Sequence, residues 1–321
     1  NPLFTGRPLI IEAYERARTL FKPHDIFIVI THNLFHKVNQ LIDIPRENYI
    51  IQPQNDDTAI AMGLAAVYLE CLRPGSVAVT FYSDHKITHL SAYYRAIIKG
   101  VEAAKKHHRL VTIGTIPEYP NPHFGYIELG KKISSSLYEG RKFIEKPSLA
   151  VAKKYLASGM HVWNTGLYIW PANYILDLYQ KHAPDLYDAL NMLHKDFFNR
   201  SFIKELQRVY THVRKTSFDR AISEKLHTLL VVVSAYHWSD VGTWSSVYEL
   251  TKKDRSGHAV LPPKPNRFIS LDSRNCLVSS DKKTVALVGI ENVYVIETAD
   301  TLLVCSKEHA LAIKNIAESS M

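Results

Sequence analysis

Long apolar runs are missing from this sequence of 321 residues. No stretch approaches the roughly eighteen apolar residues that a membrane-spanning helix needs, and the first residues lack the charged region and apolar core of a secretion signal. C-x-x-C spacing is also absent, because the three cysteines lie far apart, at Cys71, Cys276 and Cys305. We therefore expect a cytoplasmic protein that has no membrane partner, no structural zinc and no disulfide framework.

A concentrated basic segment is absent too, although the formal net charge is +8 and the isoelectric point is about 9.2. Lys and Arg are spread along the whole chain, a pattern that suits phosphorylated small molecules better than nucleic acid. Nucleic-acid binding is a weaker alternative, and it would show an affinity that falls steeply with salt. His32 and His36 have the i, i+4 spacing of a helical metal pair, but no third ligand accompanies them, so we predict no metal site there.

Helical and strand-like patterns alternate over the first third of the chain, which indicates an α/β fold. The predicted helices cover residues 9–21, a segment after Asn33, 58–69 and 90–106, and the predicted strands cover 25–31, 49–52, 76–82 and 110–114. Near-continuous apolar strands between helices are typical of a sheet covered on both faces. The apolar content of 46% is enough for a sizeable core. We therefore predict a Rossmann-like architecture with a mixed, mainly parallel sheet.

The middle of the chain changes character and adds longer strands. Predicted strands cover 124–129, 137–145 and 162–170, and predicted helices cover the segment after Pro147, 172–181, 184–193 and 218–225. Ser148 is expected to cap the first of these helices and Gly159 to end it, because serine accepts from free amides and glycine adopts the left-handed conformation.

Prolines 262, 263 and 265 separate this part from a C-terminal segment of short strands. These strands are predicted at 268–271, 276–279, 284–288, 293–297 and 302–305, followed by a helix at 308–317. Their close spacing predicts a small β-rich domain, either a meander or a short β-helix. We therefore divide the chain into residues 1–257 and 258–321, and the small domain could serve as the contact of a homodimer.

Two separated aspartates each follow a strand-like run. Asp84 lies in Ser83–His85 after the strand at 76–82, and Asp240 lies in Trp238–Trp244 after an apolar run at 229–235. Ligands bind at the carboxyl ends of strands in open α/β sheets, so two such acids can converge on one divalent metal. The alternative is that both are turn formers or helix caps.

Five short motifs occur in an order that resembles the sugar-1-phosphate nucleotidyltransferases. Most closely, the chain resembles the bacterial mannose-1-phosphate guanylyltransferases, or GDP-mannose pyrophosphorylases, from about Leu3 to the C-terminus. Trp244 favours this branch, since related enzymes for other nucleotides more often have proline there. The motifs are Ser83-Asp84-His85, Phe124-Gly125-Tyr126-Ile127, Phe143-Ile144-Glu145-Lys146-Pro147, Trp163-Asn164-Thr165-Gly166 and Asp240-Val241-Gly242-Thr243-Trp244.

The resemblance implies a transferase that makes GDP-mannose and pyrophosphate from GTP and mannose 1-phosphate in one direct displacement. Two anions react only if the charge between them is neutralised. The resemblance assigns Asp84 and Asp240 to a Mg²⁺ ion, which prefers hard oxygen ligands and keeps several waters. It assigns Lys146 to the phosphate of the sugar. These three are the expected catalytic residues.

The same resemblance assigns sugar contacts to Glu145 and Asn164, and it gives Gly125 and Gly166 the role of letting backbone approach the ring closely. Glu145 and Lys146 could instead be a surface charge doublet, and the glycines could mark strand bulges. Thr58 fits a family segment that opens an apolar helix and binds substrate.

Several family features are changed or missing in this chain. Near Thr58, Asp57 replaces an asparagine and Ile60 a proline, so the helix start carries negative charge where phosphate would bind. Tyr82 replaces a proline. The opening strand and the loop G-G-x-G-T-R-L, which hold the triphosphate, do not occur before Ile10.

These departures leave alternatives open. We expect the sequence to be part of a longer polypeptide that contains the triphosphate loop. The alternatives are a catalytically weak or inactive paralogue that binds sugar nucleotides as a regulatory subunit, and a pyrophosphorylase for another sugar phosphate or nucleotide.

Overall fold

A computed structural model describes residues 6–227, 229–262, 265–280 and 283–313. The chain forms two compact units. The larger unit comprises residues 17–82 and 87–237, and the smaller unit comprises 1–16, 83–86 and 238–321. Residues 238–257 thus group with the C-terminal strands, and the predicted boundary at 257 stays a prediction. Within the part of the chain described, no helix is long and apolar enough to cross a membrane.

Sixteen strands occur in the described residues. In chain order they are β1 (Ile28–Thr31), β2 (Tyr49–Gln52), β3 (Val77–Val79), β4 (His85–Ile87), β5 (Val111–Thr115), β6 (Tyr126–Lys132), β7 (Leu137–Ile144), β8 (His161–Pro171), β9 (Leu230–Ser234), β10 (Trp238–Asp240), β11 (Ala259–Val260), β12 (Arg267–Leu271), β13 (Leu277–Ser279), β14 (Thr284–Val288), β15 (Val293–Glu297) and β16 (Leu302–Ser306). The bounds of β2, β14 and β15 are those predicted from the sequence.

Ten α-helices occur in the described residues. They are α1 (Leu9–Arg18), α2 (His32–Asn39), α3 (Asp57–Leu72), α4 (Leu90–His107), α5 (Leu149–Ser158), α6 (Ala172–His182), α7 (Pro184–Asp196), α8 (Phe202–His212), α9 (Phe218–Ala221) and α10 (Trp244–Leu250). The sequence prediction omitted α8, although its buried residues have helical spacing, at Phe202, Leu206, Val209 and Tyr210. The helix predicted at 308–317 is a 3₁₀ helix over Lys307–Ala312, and its last residues lie outside the described ones.

A six-stranded mixed sheet forms the centre of the larger unit, in the order β3-β8-β5-β9-β7-β6. Strands β3, β5, β9 and β6 run in one direction, and β8 and β7 run in the other. The mixed α/β sheet is therefore confirmed, but the prediction that it is mainly parallel is wrong. Among the described strands of this sheet only β5 and β9 pair in parallel, because β8 is inserted antiparallel between β3 and β5 and β7 runs antiparallel to both of its neighbours. Strands β1 and β2 form a separate parallel pair.

Helix α5 begins and ends as its sequence predicts. The Ser148 hydroxyl accepts from the Val151 amide at 3.4 Å, and Gly159 takes a left-handed φ of 65° just after the last turn. A capping serine satisfies an amide that has no partner inside the helix, and glycine adopts the left-handed conformation without the steric penalty of a Cβ. The helix that follows the predicted site motif at Pro147 is thus defined at both ends.

The smaller unit contains a short β-helix. Strands β11, β13 and β15 stack in parallel register, as do β12 and β14, and β16 closes the first stack antiparallel to β15. Parallel pairing of successive short strands is the pattern of coils, whereas a meander would be antiparallel throughout. The interior of the coils is apolar, and Tyr294 and Leu277 are fully buried in it. Of the two predicted architectures, the β-helix is therefore confirmed.

The packing of α3 on α7 depends on Gly63. A Cβ at this position would lie 2.4 Å from Leu190 Cδ1, and Leu190 is fully buried. We expect Gly63→Ala to lower the free energy of unfolding by about 1–2 kcal/mol, because overpacking costs about 1–3 kcal/mol and outweighs the gain of about 1 kcal/mol in helix propensity. Urea denaturation measures the change.

A double-mutant cycle with Leu190→Ala provides the control. Leu190→Ala alone should be destabilising, but in its background Gly63→Ala should become stabilising, because the clashing methyl groups are gone. Additive effects of the two changes would contradict the proposed contact.

Candidate functional site

Asp84 and Asp240 are backbone neighbours in the smaller unit. Strands β4 and β10 pair, and the Val241 amide donates to the Asp84 carbonyl at 3.0 Å. Asp240 is the last residue of β10, as predicted for a carboxyl end. Asp84 lies just before β4 instead, at the end of a short connection from β3. The two carboxylates therefore start from adjacent points of one short sheet.

The residues after Asp240 form a tight strand-to-helix turn. The Gly242 amide donates to the Asp240 carbonyl at 2.7 Å, and the Thr243 hydroxyl accepts from the Ser246 amide at 3.1 Å as the cap of α10. Trp244, the first residue of α10, packs against the apolar interior of the β-helix. Every residue of this motif thus has a local role, and together they fix the position of Asp240.

His85 and Arg16 provide the immediate surroundings of Asp84. The Arg16 guanidinium is buried and donates from Nη2 to the His85 carbonyl at 3.0 Å, and the Trp238 ring lies 5.2 Å from the His85 ring. Burial lowers the pKa of His85 to about 4, opposed by Asp84 and reinforced by Arg16. The imidazole is therefore neutral at neutral pH. Arg16 places a positive charge in hydrogen-bond contact with the backbone of this segment.

Three or more His, Cys, Asp or Glu side chains do not cluster as a metal site anywhere in the described residues. A pair of carboxylates still fits Mg²⁺, because this ion is usually held by one or two carboxylates together with substrate phosphates and water. Asp84 and Asp240 provide hard oxygen ligands on adjacent backbone, so the residues present suit the ion.

Gly125, Glu145 and Asn164 come together in the larger unit, at the end of the six-stranded sheet where β6, β7 and β8 meet. The backbone amide of Asn164 donates to the backbone carbonyl of Gly125 at 2.8 Å. A Cβ at position 125 would lie 2.7 Å from Glu145 Oε2 and 2.9 Å from Phe143 Cζ. A side chain at this position would therefore displace Glu145 or Phe143.

Lys146 adopts an uncommon backbone conformation beside this group. Its φ is 50°, and it precedes Pro147, which further restricts its backbone. A left-handed conformation costs a non-glycine residue about 1–2 kcal/mol, and such strain is concentrated at functional sites. The Lys146 ammonium lies 3.1 Å from Glu145 Oε1 and its side chain is 57% exposed, whereas that of Glu145 is 13% exposed. The pair is therefore a buried carboxylate with an accessible cation, unlike a surface doublet.

The side-chain amide of Asn164 is part of a buried hydrogen-bond network. Its Nδ2 donates to the Tyr168 hydroxyl at 3.1 Å and to Asp219 Oδ1 at 3.2 Å, and its Oδ1 accepts from the Thr112 hydroxyl at 2.8 Å. Both amide hydrogens are thus used inside the protein. A sugar hydroxyl can reach only the remaining acceptor site of Oδ1, which narrows the role predicted from the sequence.

Gly166 marks a bulge in β8, as the alternative interpretation of this glycine predicted. Thr112 of β5 pairs with Tyr168 and Gly114 pairs with Asn164, so β8 has two extra residues between these points. Gly166 has a φ of 74°, and a Cβ there would lie 3.0 Å from the Tyr82 ring. The bulge reorients β8 directly after Asn164.

Thr58 lies in the first turn of α3 and connects it to α9. Its hydroxyl accepts from the Phe218 amide at 2.9 Å, and its own amide donates to Asp57 Oδ1 at 2.7 Å. Asp57 has a φ of 71°. The backbone amide of Thr58 therefore already donates to the Asp57 carboxylate, where a phosphate could otherwise accept. The Thr58 hydroxyl also has a structural partner.

Asp219 and Tyr168 are site residues that the sequence prediction missed. The Tyr168 hydroxyl donates to Asp219 Oδ1 at 2.5 Å and accepts from the Ser223 hydroxyl at 2.9 Å. The pKa of Asp219 is raised to about 6, first by burial and then by the neighbouring Glu145, while the hydrogen bond from Tyr168 opposes the shift. The available signal was an acid placed directly after the fully buried Phe218 at the start of a helix.

The raised pKa of Asp219 predicts a stability that depends on pH. The folded protein holds this proton more tightly than the unfolded chain, so the contribution of Asp219 is fully present below about pH 4 and is lost as pH rises to about 6 and above. Relative to Asp219→Asn, the free energy of unfolding of the native chain should fall by about 2–3 kcal/mol between pH 4 and pH 7. Denaturant titrations at a series of pH values measure this difference.

Asp188→Asn, which removes an exposed carboxylate of α7, is the matched control. A difference of equal size in this variant, or none for Asp219→Asn, would contradict the assignment.

Two family models match the chain. Residues 2–257 match the Nucleotidyl transferase model, and residues 266–319 match the model described as MannoseP isomerase/GMP-like beta-helix domain. Among solved structures, a Thermus thermophilus protein described as mannose-1-phosphate geranyltransferase superposes with a TM-score of 0.87 at 28% identity, covering 99% of this chain and 90% of that one.

Curated relatives from two enterobacteria are each 32% identical over 324 residues and 98% of this chain. Both, from Klebsiella pneumoniae and Escherichia coli, are named mannose-1-phosphate guanylyltransferase. The chain spans 67% of the length of each, and 58% of the length of a Vibrio cholerae relative that is 31% identical over 277 residues.

Proposed function

Because the chain belongs to the nucleotidyl transferase family, we propose that it makes GDP-mannose and pyrophosphate from GTP and mannose 1-phosphate. The observation that carries the proposal is the group formed by Glu145, Lys146, Asn164 and Gly125, which combines acceptors for sugar hydroxyls with an accessible cation for a phosphate. The relatives named for this activity and the second match, to a β-helix model, support the same sugar and nucleotide.

The residues of the larger unit suit binding and orientation of the sugar phosphate. Lys146 provides a positive charge that offsets the repulsion between the attacking phosphate and the triphosphate. Its distance of 3.1 Å from Glu145 and the restricted backbone before Pro147 limit the positions that the ammonium can take. Glu145 and Asn164 Oδ1 accept hydrogen bonds from sugar hydroxyls. Holding the nucleophile in line in this way contributes to rate through orientation alone.

Asp84 and Asp240 are the residues that would hold Mg²⁺. When bound, the ion supplies charge neutralisation between the phosphates of the nucleotide. The turn from Asp240 to Thr243 and the bond between Val241 and Asp84 keep the two carboxylates on adjacent backbone before any ion arrives. No protein nucleophile is needed, because the oxygen of the sugar phosphate attacks the α-phosphorus directly and pyrophosphate leaves.

Removing either aspartate tests the metal assignment. We expect Asp84→Ala and Asp240→Ala each to abolish Mg²⁺-dependent release of pyrophosphate and to weaken Mn²⁺ binding measured by electron paramagnetic resonance. Glu291→Ala, which removes an exposed carboxylate elsewhere in the smaller unit, should change neither. Full activity with unchanged Mn²⁺ binding in either aspartate variant would exclude the assignment.

Truncating Lys146 tests the assignment of the sugar-phosphate site. We expect Lys146→Ala to raise the KM for mannose 1-phosphate by about 10- to 100-fold, because a hydrogen bond to a charged group contributes about 1.5–3 kcal/mol. The KM for GTP should change much less. Lys142→Ala, an exposed lysine on β7, is the matched control. An unchanged KM for the sugar phosphate would refute the role of Lys146.

Binding without turnover is the second candidate, and the Asp57 carboxylate at the start of α3 favours it. A pyrophosphate-release assay over several nucleotides and sugar phosphates, combined with calorimetry of GDP-mannose binding, separates the candidates. Turnover with GTP and mannose 1-phosphate supports the enzyme, and binding of GDP-mannose with no turnover supports a regulatory subunit.

A further inference from the structure

The neighbours of Asn164 determine which way its side-chain amide faces. The Thr112 hydroxyl lies 2.8 Å from Asn164 Oδ1 and 3.2 Å from the Leu167 carbonyl, and its single hydrogen cannot satisfy both fully. If the amide turned over, Nδ2 would donate to Thr112, and Thr112 would donate to Leu167. On the side of Thr112, both orientations are therefore satisfied.

Asp219 breaks this symmetry. Its Oδ1 lies 3.2 Å from the amide nitrogen of Asn164 and already accepts from Tyr168. An ionised carboxylate is only an acceptor, so it accepts from Nδ2 in the observed orientation and would repel Oδ1 in the other. A protonated carboxyl could donate to Oδ1 instead. The orientation of the amide thus depends on the charge of Asp219.

We propose that Asp219 is a positioning residue, which holds the Asn164 amide in a single orientation so that Oδ1 is presented to a hydroxyl of the sugar. This inference rests on the proposed function for the identity of the ligand. Together with the Glu145 carboxylate, the fixed amide makes an array of acceptors. Its complement is a polyhydroxylated ring whose hydroxyls donate.

Charged and titratable groups of two neighbouring strands act on Asp219. From the segment after β7, Glu145 raises its pKa and Lys146 lowers it, and from β8 Tyr168 donates a hydrogen bond to it. Helix α3, bonded to α9 through Thr58 and Phe218, carries Asp57 at its start. On its own side of the fold, Arg220 and Glu224 follow in sequence, and Glu224 accepts from the Glu145 amide. Since the pKa of Asp219 is about 6, the amide should be fixed above this pH and free to turn over below it.

Two readouts test the proposal in the complete protein. The side-chain amide of Asn164, identified in NMR spectra by its loss in Asn164→Asp, should shift with a midpoint near pH 6. The Kd for GDP-mannose should rise roughly twofold from pH 8 to pH 5, because two equally satisfied orientations halve the population that presents Oδ1 to the sugar. The sugar nucleotide is used because its phosphates, unlike a phosphate monoester, do not titrate in this range.

Variants separate positioning from a merely structural role. Asp219→Asn should abolish both the midpoint and the change in Kd. Thr112→Val should flatten the change in Kd, because the turned amide loses its acceptor, and it provides a second test if Asp219→Asn does not fold. Ser223→Ala, which removes the hydrogen bond to Tyr168 without touching Asn164 or Asp219, should keep both.

A native Asn164 resonance that does not titrate, a midpoint that persists in Asp219→Asn, or a change in Kd that persists in Thr112→Val would overturn the inference. A native protein that fails to bind GDP-mannose at any pH would instead refute the proposed function, while the NMR titration would still decide the role of Asp219.

Discussion

Strand β8 is the element on which the larger unit depends, because it pairs with three other strands. It pairs with β3 at residues 169–171, with β6 at 161–163, and with β5 on both sides of the bulge at Gly166. Without the two extra residues, the register of β8 would shift by two and a different residue would lie opposite Gly114. The position of Asn164 is therefore a consequence of how one strand changes its course between partners.

A buried network of hydrogen bonds holds the side chains around Asn164 and Asp219. Thr112, Tyr168 and Ser223 are buried, and each uses its hydroxyl toward Asn164, Asp219 or a member of the same chain of hydrogen bonds. A buried polar group without partners is costly, so the network is stable only when complete. Part of the stability of the fold is consequently given up to keep a carboxylate next to Glu145.

Much of the architecture could be predicted from the sequence, since apolar periodicity and capping residues are local signals. Helix α5 is an example, because Ser148 and Gly159 act through their own backbone. The mixed direction of the sheet was harder, because β8 enters between β3 and β5 from far along the chain. Asp219 could not be identified for the same reason: its partners lie some 50 residues away, at Asn164 and Tyr168. Among the assigned site residues, Thr58 and Asn164 have structural partners that no short motif could indicate.

The composition of the smaller unit has a consequence for the order of folding. Its segments come from the beginning, the middle and the end of the chain, and Asp84 is separated from Asp240 by about 150 residues. Closing so long a loop for one short strand pair is unfavourable unless the intervening chain has already become compact. During synthesis, β10 also emerges only after the whole larger unit. The pairing of β4 with β10 is therefore a late event, and the carboxylates become neighbours only when most of the chain is in place.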